Sequence, residues 1–580
     1  MGDILDDASN IYEMKYRYRY ISEREVKEIE KKIGVREENK SYNIIINGHG
    51  TGVAPPTKEE LRDLLGKKVI DGLTQNISLK SSVRLDLDPH FPPVRSQGSQ
   101  GSCSAWSVTY YMNGFLQRML NDWTDSYDYH LMSPAWTYNK VNSGVDDGSF
   151  PSDNAKILRD IGCASLYTMP YDDSDYISWG GEYAWREAPL FRIKEYGYVD
   201  LTSIEAIKAL LDEGYLINFV IDATTAGYGS GTFDGDYILS EYEYNGSTPN
   251  HAQTIVGYDD FVNDDGEYGA FRVVNSWGNS WGDSGFYWVT YDCLKNRIAY
   301  EWSYGLYLIP INDEPYIPKL LATWRFSSSG ARDGDIGIIY NAEDSTTQSI
   351  SPYLDGGSYS YPEFMVLDIT DMLDEWMRHK YSGDFYLYLD NSSTSNTIDS
   401  FKIEYYPDYY YIWDPEAYAE ISMESPHVPV TISANTYGLV MAGSFEPEIK
   451  IWIYEIKGLD AIDFLGDDPD WYYYIGVSGD GSYWVYRMSS YPLASDVNDL
   501  YVDMTMSFHA NTTSTYVMIE LCDKDSDSDD QADISSDSGG GADDVGSPVP
   551  FGLYYGNFLG EWDLLYNDWL WSDNLTVDSY

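Results

Sequence analysis

Cysteine is scarce in this 580-residue chain, which has only Cys103, Cys163, Cys293 and Cys522. So few cysteines exclude a disulfide-dense scaffold, although a bridge between Cys163 and Cys293 stays open. No apolar run approaches the roughly 18 residues that a membrane-spanning helix needs, so the sequence predicts no transmembrane segment. The first residues also lack the basic and apolar regions of a signal peptide.

Basic residues are few as well, since 37 Lys and Arg face 94 Asp and Glu and the formal net charge is -57. This charge repels nucleic acids and anionic membranes, which excludes nucleic-acid partners, and it favours calcium-rich or salt-rich surroundings. Acidity of this degree is typical of disorder, but 43% hydrophobic and 16% aromatic residues predict folded, β-rich structure instead. We therefore expect an extracellular or cell-surface protein whose export signal is not visible in this chain.

A glycine-rich turn stands directly before Cys103. The segment 97–106 reads QGSQGSCSAW, and the apolar residues that follow predict a helix. The unpaired N–H groups and partial positive charge at a helix N-terminus lower the pKa of a thiol and stabilise its thiolate. Cys103 is therefore a candidate nucleophile.

Two later motifs supply the groups that a nucleophilic cysteine needs. His251 opens a strand-like run, and Asn275 lies in the sequence VVNSWG. Together with Cys103, and in this order, they resemble the papain-like (C1) cysteine peptidases of bacterial and archaeal type. The resemblance implies hydrolysis of peptide bonds through a thioester, a protein or peptide substrate, and no cofactor for catalysis.

The resemblance also implies a role for each of these side chains. Cys103 would attack the scissile carbonyl, His251 would share its proton in a thiolate–imidazolium pair, and Asn275 would orient the imidazole ring. The side-chain amide of Gln97 and the backbone N–H of Cys103 would form the oxyanion hole.

Further positions follow from the same resemblance. Trp277 and Trp281 are expected to shield the hydrogen bond between the amide and the imidazole from water. Gly148 and Ser149 are expected to contact the backbone of the substrate. The stretch between the histidine and the asparagine needs an insertion, and we predict that 259–269 is this insertion and forms a loop.

The resemblance implies an α+β fold with a papain-like, two-lobed cysteine peptidase, and changes in composition predict that all-β sandwich domains follow it. The predicted parts are an N-terminal extension (1–84), the peptidase domain (85–315), a jelly-roll-like β-sandwich (316–432), a C2-like β-sandwich (440–545) and an aromatic-rich C-terminal tail (546–580). The sandwiches favour binding to carbohydrate or to a cell surface, or serve as spacers.

The N-terminal extension contains two helix-start signals, at Ser22 and Thr57, each followed three residues later by Glu. Between them, 42–50 predicts a short strand that runs into a glycine turn. The extension is either a removable propeptide of a zymogen or a structural addition to the enzyme.

Two acidic loops in the C2-like part are candidates for a structural calcium site, because calcium prefers six to eight oxygen ligands. The candidate ligands are Asp468, Asp470, Asp523, Asp525 and Asp527. A solvated acidic surface is the alternative. The alternative function for the whole chain is a calcium-dependent surface-binding protein, or adhesin, with an inactive peptidase-like domain.

Overall fold

The computed structural model describes residues 15–442, except 38–39, 76, 343–344, 380, 382, 391, 408–409 and 414–417, and gives only the backbone of separate strands between 448 and 579. The chain divides into two compact units. The first comprises 1–339, 349–370 and 386–440, and the second comprises 340–348, 371–385 and 441–580.

One ten-stranded sheet organises the part of the first unit that precedes residue 310. Its main path runs β1-β2-β4-β10-β5-β7-β8-β9-β6, and β3 pairs with β7. The strands are β1 (Tyr16–Tyr20), β2 (Lys68–Leu73), β3 (Ser82–Arg84), β4 (Glu195–Asp200), β5 (Ile217–Ile221), β6 (Ile238–Leu239), β7 (His251–Asp264), β8 (Glu267–Val274), β9 (Phe286–Thr290) and β10 (Tyr304–Ile309). Both β1 and β2 lie in the predicted N-terminal extension, so this segment shares a sheet with the predicted peptidase.

The described helices of this region lie mostly between β3 and β5. They are Glu23–Ile33, Lys58–Leu64, Cys103–Ala105, Gly114–Leu120, Pro134–Val141, Pro151–Asp160, Glu182–Glu187, Ile204–Asp212, Tyr291–Cys293 and Ala299–Glu301. A π-helical stretch, Trp106–Asn113, continues the turn that begins at Cys103 into the helix Gly114–Leu120. The buried core contains residues from β1 and β2 as well as from the later strands.

Capping residues fix the two N-terminal helices as the sequence predicts. The side chain of Ser22 accepts a hydrogen bond from the Glu25 backbone, and the Glu25 carboxylate accepts one from the Ser22 backbone. Thr57 and Glu60 form the same reciprocal pair at the second helix.

Two all-β sheets follow between 320 and 442, and they confirm the predicted change to β structure. The strand orders are β14-β11-β16-β17, with β18 paired to β16, and β13-β12-β15-β19. The strands are β11 (Leu320–Ser328), β12 (Asp335–Asn341), β13 (Thr347–Ile350), β14 (Phe364–Asp368), β15 (Asp384–Asp390), β16 (Asn396–Tyr405), β17 (Ile421–Glu424), β18 (Val430–Ile432) and β19 (Gly438–Ala442). One helix in this region, Leu373–Arg378, follows β14. The exact domain boundaries stay predictions.

The C-terminal part contributes two further sheets to the second unit. Their strand orders are β23-β20-β29-β28 and β22-β21-β24-β26-β27, with β25 paired to β24. The strands are β20 (Glu448–Lys457), β21 (Trp471–Ser478), β22 (Val485–Met488), β23 (Asp499–His509), β24 (Ser514–Lys524), β25 (Asp529–Gln531), β26 (Val549–Tyr555), β27 (Trp562–Leu564), β28 (Leu570–Trp571) and β29 (Leu575–Ser579). Among the described residues, no helix combines the length and the apolarity that crossing a bilayer requires.

The prediction of a loop at 259–269 is wrong. These residues continue β7 and β8 as an antiparallel ribbon, in which Asn263 pairs with Tyr268 and the turn contains Asp265 and Gly266. Backbone pairing overrides the polar composition that suggested a loop. The bridge that the sequence left open between Cys163 and Cys293 does not form, because both cysteines are buried and free.

Candidate active site

The sheet brings His251 and Asn275 to the same edge. His251 is the first residue of β7, Asn275 directly follows β8, and the two strands run antiparallel with Thr254 opposite Val274. The Nε2 atom of His251 lies 2.8 Å from Oδ1 of Asn275. Because Asn275 Oδ1 can only accept, this bond places a proton on Nε2.

Cys103 lies at the same edge, at the start of its helix. The backbone N–H of Ala252, the residue after His251, donates to the Cys103 sulfur over 3.3 Å. Among the described residues, the second imidazole nitrogen of His251, Nδ1, has no hydrogen-bond partner. The structure therefore joins the three predicted catalytic residues in one cluster and leaves one imidazole nitrogen available for proton transfer.

Burial controls the charge of this cluster. Cys103, His251 and Asn275 are all fully buried. Burial raises the pKa of the Cys103 thiol to about 12, although hydrogen bonds from the Ala252 backbone and from Ser104 oppose this rise. Burial also lowers the pKa of His251 to about 4, against the opposing effect of the Asn275 hydrogen bond. In this arrangement the thiol and the imidazole are both neutral, whereas the sequence predicted an ion pair.

Gln97 is held beside the cluster by its own hydrogen bonds. Its backbone N–H donates to the Ser276 carbonyl over 2.8 Å, and its Oε1 accepts from the Ser276 hydroxyl over 2.6 Å. Its Nε2 donates to the carbonyl oxygens of Gln100 at 2.8 Å and of Thr51 at 3.2 Å. Both N–H donors of the amide are therefore occupied.

The two predicted tryptophans lie on one side of the imidazole, with Trp277 next to it and Trp281 next to Trp277. The ring of Trp277 lies 4.8 Å from that of His251, and Trp281 meets Trp277 edge-on at 6.0 Å. Both tryptophans are buried, and their indole N–H groups donate to the carbonyl oxygens of Gly50 and Tyr228 respectively. Trp277 thus packs beside the imidazole, and shielding of the hydrogen bond between Asn275 and His251 by the two tryptophans stays a prediction.

Residues 84–306 match the sequence profile of the papain family of cysteine proteases. The chain carries a papain-family cysteine protease domain. Zingipain-2 of Zingiber officinale is 28% identical over 198 residues, which cover 33% of this chain and 80% of that protein. The gamete and mating-type specific protein A of Dictyostelium discoideum is 24% identical over 210 residues, and these cover 36% of this chain and only 43% of that protein.

Among solved structures, xylellain, a cysteine protease from Xylella fastidiosa, is 19% identical, with a TM-score of 0.33, and the match covers 48% of this chain and 99% of that one. The bromelain protease of Ananas comosus in complex with E64 is 18% identical, with a TM-score of 0.32, covering 40% of this chain and all of that one. The family profile and the two sequence relatives favour the peptidase, and they give no support to the adhesin alternative.

An N-terminal segment lies across the site of the papain-family domain. We call residues 41–54 the strap. The N–H groups of Gly52 and Val53 both donate to the carbonyl of Asn250, which directly precedes the histidine, over 3.1 and 3.0 Å. The N–H of Gly50 donates to the carbonyl of Gly98 over 2.9 Å. The strap therefore bonds directly to the residue before His251 and to the residue after Gln97.

The two residues predicted to bind substrate backbone contact the strap. Ser149 donates its backbone N–H to Gly52 over 2.9 Å and accepts from the Ala54 N–H over 3.3 Å. A Cβ atom added to Gly148 would overlap the backbone of Gly52, so the strap packs directly on both positions. His49 of the strap stacks on Trp277, with a ring separation of 5.3 Å.

The structure does not describe the side chains of the five predicted calcium ligands. Asp468, Asp470, Asp525 and Asp527 lie outside the described residues, and Asp523 lies in a strand described by its backbone alone. A separate acidic cluster is formed by Glu243, Asp264 and Asp265. One carboxylate oxygen of each residue lies within 4.8 Å of the other two. The sequence motifs described above did not predict this acidic cluster.

Proposed function

We propose that the chain hydrolyses peptide bonds by nucleophilic attack of Cys103. The observation that carries the proposal is the cluster in which the Cys103 sulfur accepts from the backbone beside His251 while Asn275 holds the imidazole. The thiolate attacks the scissile carbonyl carbon and forms a carbon–sulfur bond. As the carbon–nitrogen bond breaks, imidazolium gives its proton to the departing amine, which leaves a thioester.

Hydrolysis of the thioester restores the enzyme. The neutral imidazole of His251 takes a proton from water, and the resulting hydroxide attacks the thioester carbon. The carbon–sulfur bond breaks, the acid product leaves, and the thiolate–imidazolium pair forms again. Asn275 keeps the ring oriented through both steps because its carbonyl binds the Nε2 proton and leaves Nδ1 to exchange protons.

The oxyanion hole consists of the Gln97 amide and the Cys103 backbone N–H in this proposal. One N–H of the Gln97 amide stays on the Gln100 carbonyl, and the other is the donor that Thr51 now occupies. When the Thr51 carbonyl leaves, that donor is free for the oxygen of the tetrahedral intermediate, where one such hydrogen bond lowers the barrier by about 2.7–4 kcal/mol.

In this proposal the strap covers and inhibits the active site. The N-terminal extension then acts as the inhibitory segment of a zymogen. Its backbone uses the Gln97 donor and the Ser149 and Asn250 backbone groups that a peptide substrate would need. It also buries the thiol and imidazole, and charge separation between them is unfavourable without solvent. Displacement of the strap frees the hydrogen-bonding groups and allows the ion pair to form.

An epoxide affinity label tests the proposal. Once the strap is displaced, we expect one label per chain, attached to Cys103, with loss of peptide turnover in the same proportion, and no label on the Cys103→Ala variant. Equal labelling of both proteins, with no cleavage of a peptide library, would overturn it and would favour the adhesin. The cleavage profile of the same library reports side-chain preference.

Three further assignments rest on composition alone and are also proposals. The acidic surface and the β-sheet regions support action outside the cell or at its surface. They also support a carbohydrate or surface ligand for 316–432 and structural calcium in 440–545. Binding of insoluble polysaccharide and of calcium by the intact chain measures these two assignments separately.

A further inference from the structure

Helices and strands flank the strap on both sides. Strand β1 and the helix Glu23–Ile33 precede it, and the helix Lys58–Leu64 and β2 follow it. Strand β1 pairs antiparallel with β2, and β2 pairs parallel with β4. These flanking strands are therefore integral to the main sheet.

The upstream flank is also fixed by side chains. Arg19 donates to the Asp200 carboxylate over 2.8 Å, and the hydroxyl of Tyr304 donates to Glu25 over 3.0 Å. Tyr16 is 2% exposed and lies in the hydrophobic core. Removing this flank would open the core and leave charged partners unpaired.

The downstream flank is fixed by a buried charged cluster. Glu60 of this flank is 2% exposed, and the Asp63 carboxylate lies 3.4 Å from Lys156, which also lies 3.4 Å from the buried Asp153 carboxylate. Ile70 of β2 is 1% exposed within the same core as β1. Because a buried carboxylate is stable only with its partners, this flank is also costly to detach.

The middle of the strap differs from its flanks. Ile44 and Ile45 are 43% and 53% exposed. Ile46 and His49 pair across a turn in which Asn47 and Gly48 both have positive φ, at 50° and 87°. The turn at Asn47 and Gly48 is therefore an exposed part of the strap, open to an endopeptidase.

We infer that 15–33 and 57–73 are permanent parts of the enzyme, and that activation moves or cuts the strap without releasing a propeptide. This inference rests on the proposed function of the strap. Hydrolysis of the Asn47–Gly48 bond by an added endopeptidase adds one water, and it leaves a carboxylate on Asn47 and an amine on Gly48. Each new end then stays attached through its own strand, giving a two-chain enzyme.

The test introduces a recognition sequence for a specific endopeptidase at the Asn47–Gly48 turn, in the Cys103→Ala chain and in the active chain. After cleavage, we expect the N-terminal fragment to co-elute with the remainder in native size-exclusion chromatography and to separate only in denaturant. In the active chain, we expect labelling of Cys103 to accelerate at least tenfold. Separation under native conditions, with a remainder that keeps its melting temperature, would overturn the inference.

Two deletions guard against a misfolded cleavage variant. Replacing 41–54 by a flexible linker should preserve the cooperative melting transition, whereas deleting 15–75 should abolish it; a folded and active 15–75 deletion would contradict the inference. Co-elution needs no catalysis, so its failure would leave the proposed hydrolysis standing. Co-elution without any peptide turnover would support retention of the flanks and count against the hydrolysis.

Discussion

Substituting Gly52 by alanine should open the active site. Gly52 has a φ of +113°, a conformation that residues with a side chain rarely adopt, and its added Cβ would overlap the carbonyl of Gly101. The obstacle is backbone, so it cannot rotate away as a flexible side chain would. Both penalties apply only while the strap lies in the cleft, and a displaced strap is free of them.

The size of the effect follows from these two penalties. The unfavourable φ costs about 1–3 kcal/mol, and the overlap costs about 1–3 kcal/mol. Their sum destabilises the covered state by about 2–6 kcal/mol. Since each 1.4 kcal/mol is about a factor of ten, the ratio of uncovered to covered enzyme rises by about 30-fold to about 10⁴-fold.

Iodoacetamide labelling followed by peptide mapping measures this ratio through the reactivity of Cys103. We expect Gly52→Ala to raise the labelling rate of Cys103 at least 30-fold. Cys163 and Cys293 are also buried, so their labelling rates report global unfolding and should stay unchanged.

The matched control is Gly34→Ala. Gly34 has a φ of +79°, but its added Cβ meets nothing within 4 Å, and it precedes the strap. It should leave the Cys103 rate at the wild-type value. A folded Gly52→Ala protein whose Cys103 reacts no faster than this control would refute the idea that the strap covers the site.

The remaining predictions concern the chemistry, the pH and calcium. In the Gly52→Ala background, Gln97→Ala should lower kcat by about 10²–10³-fold because the oxyanion loses a donor; an unchanged kcat in steady-state assays would remove this role. In the same background, Asn275→Ala should cost about 1.5–3 kcal/mol, or about 10–150-fold in kcat, and shift the basic limb of the pH profile to lower pH, because the hydrogen bond that raises the pKa of His251 is lost. Acid should not release the strap between pH 7 and pH 5, because the covered site holds one proton on the thiol and the uncovered ion pair holds one proton on the imidazolium, so both states bind equally many protons at these two side chains. Amide exchange in the strap, corrected for intrinsic rates, should therefore show equal protection at pH 5 and pH 7, and faster exchange at pH 5 would contradict the ion pair. Calcium at about 100 times its dissociation constant should add about 2.7 kcal/mol to the stability of 440–545, whereas a melting curve unaffected by chelator would dismiss that site.

The local motifs of this sequence predicted which three side chains come together at one edge of the sheet. Cys103, His251 and Asn275 each stand in a short recognisable context, and strand pairing then brings them together. The capped helices at Ser22 and Thr57 were also predictable, because a capping box involves residues only three positions apart.

The strap could not be predicted in the same way. Its partners, Asn250 and Ser149, are distant in sequence, and a segment that bonds to loops shows no periodicity. The short strand predicted for 42–50 is therefore only the isolated pairing of Ile46 with His49. The sequence feature that indicated the strap was the alternation of glycine in GHGTG (48–52). Its last glycine, Gly52, packs directly against the backbone of Gly101.

The charge state of the site was also beyond sequence reasoning. The helix start at Cys103 predicted a lowered thiol pKa, but burial of the side chain reverses that direction. The lowered thiol pKa that the helix start predicts applies to the enzyme without the strap in the cleft. The folded arrangement buries the thiol and raises its pKa.

Intact-mass titration of the Gly52→Ala enzyme with an epoxide inhibitor tests the central claim most directly. We predict that one equivalent abolishes peptide hydrolysis, that the adduct maps to Cys103, and that the Cys103→Ser variant neither forms the adduct nor cleaves peptides. Full hydrolytic activity in that variant, or inactivation by an adduct at another residue, would contradict the account.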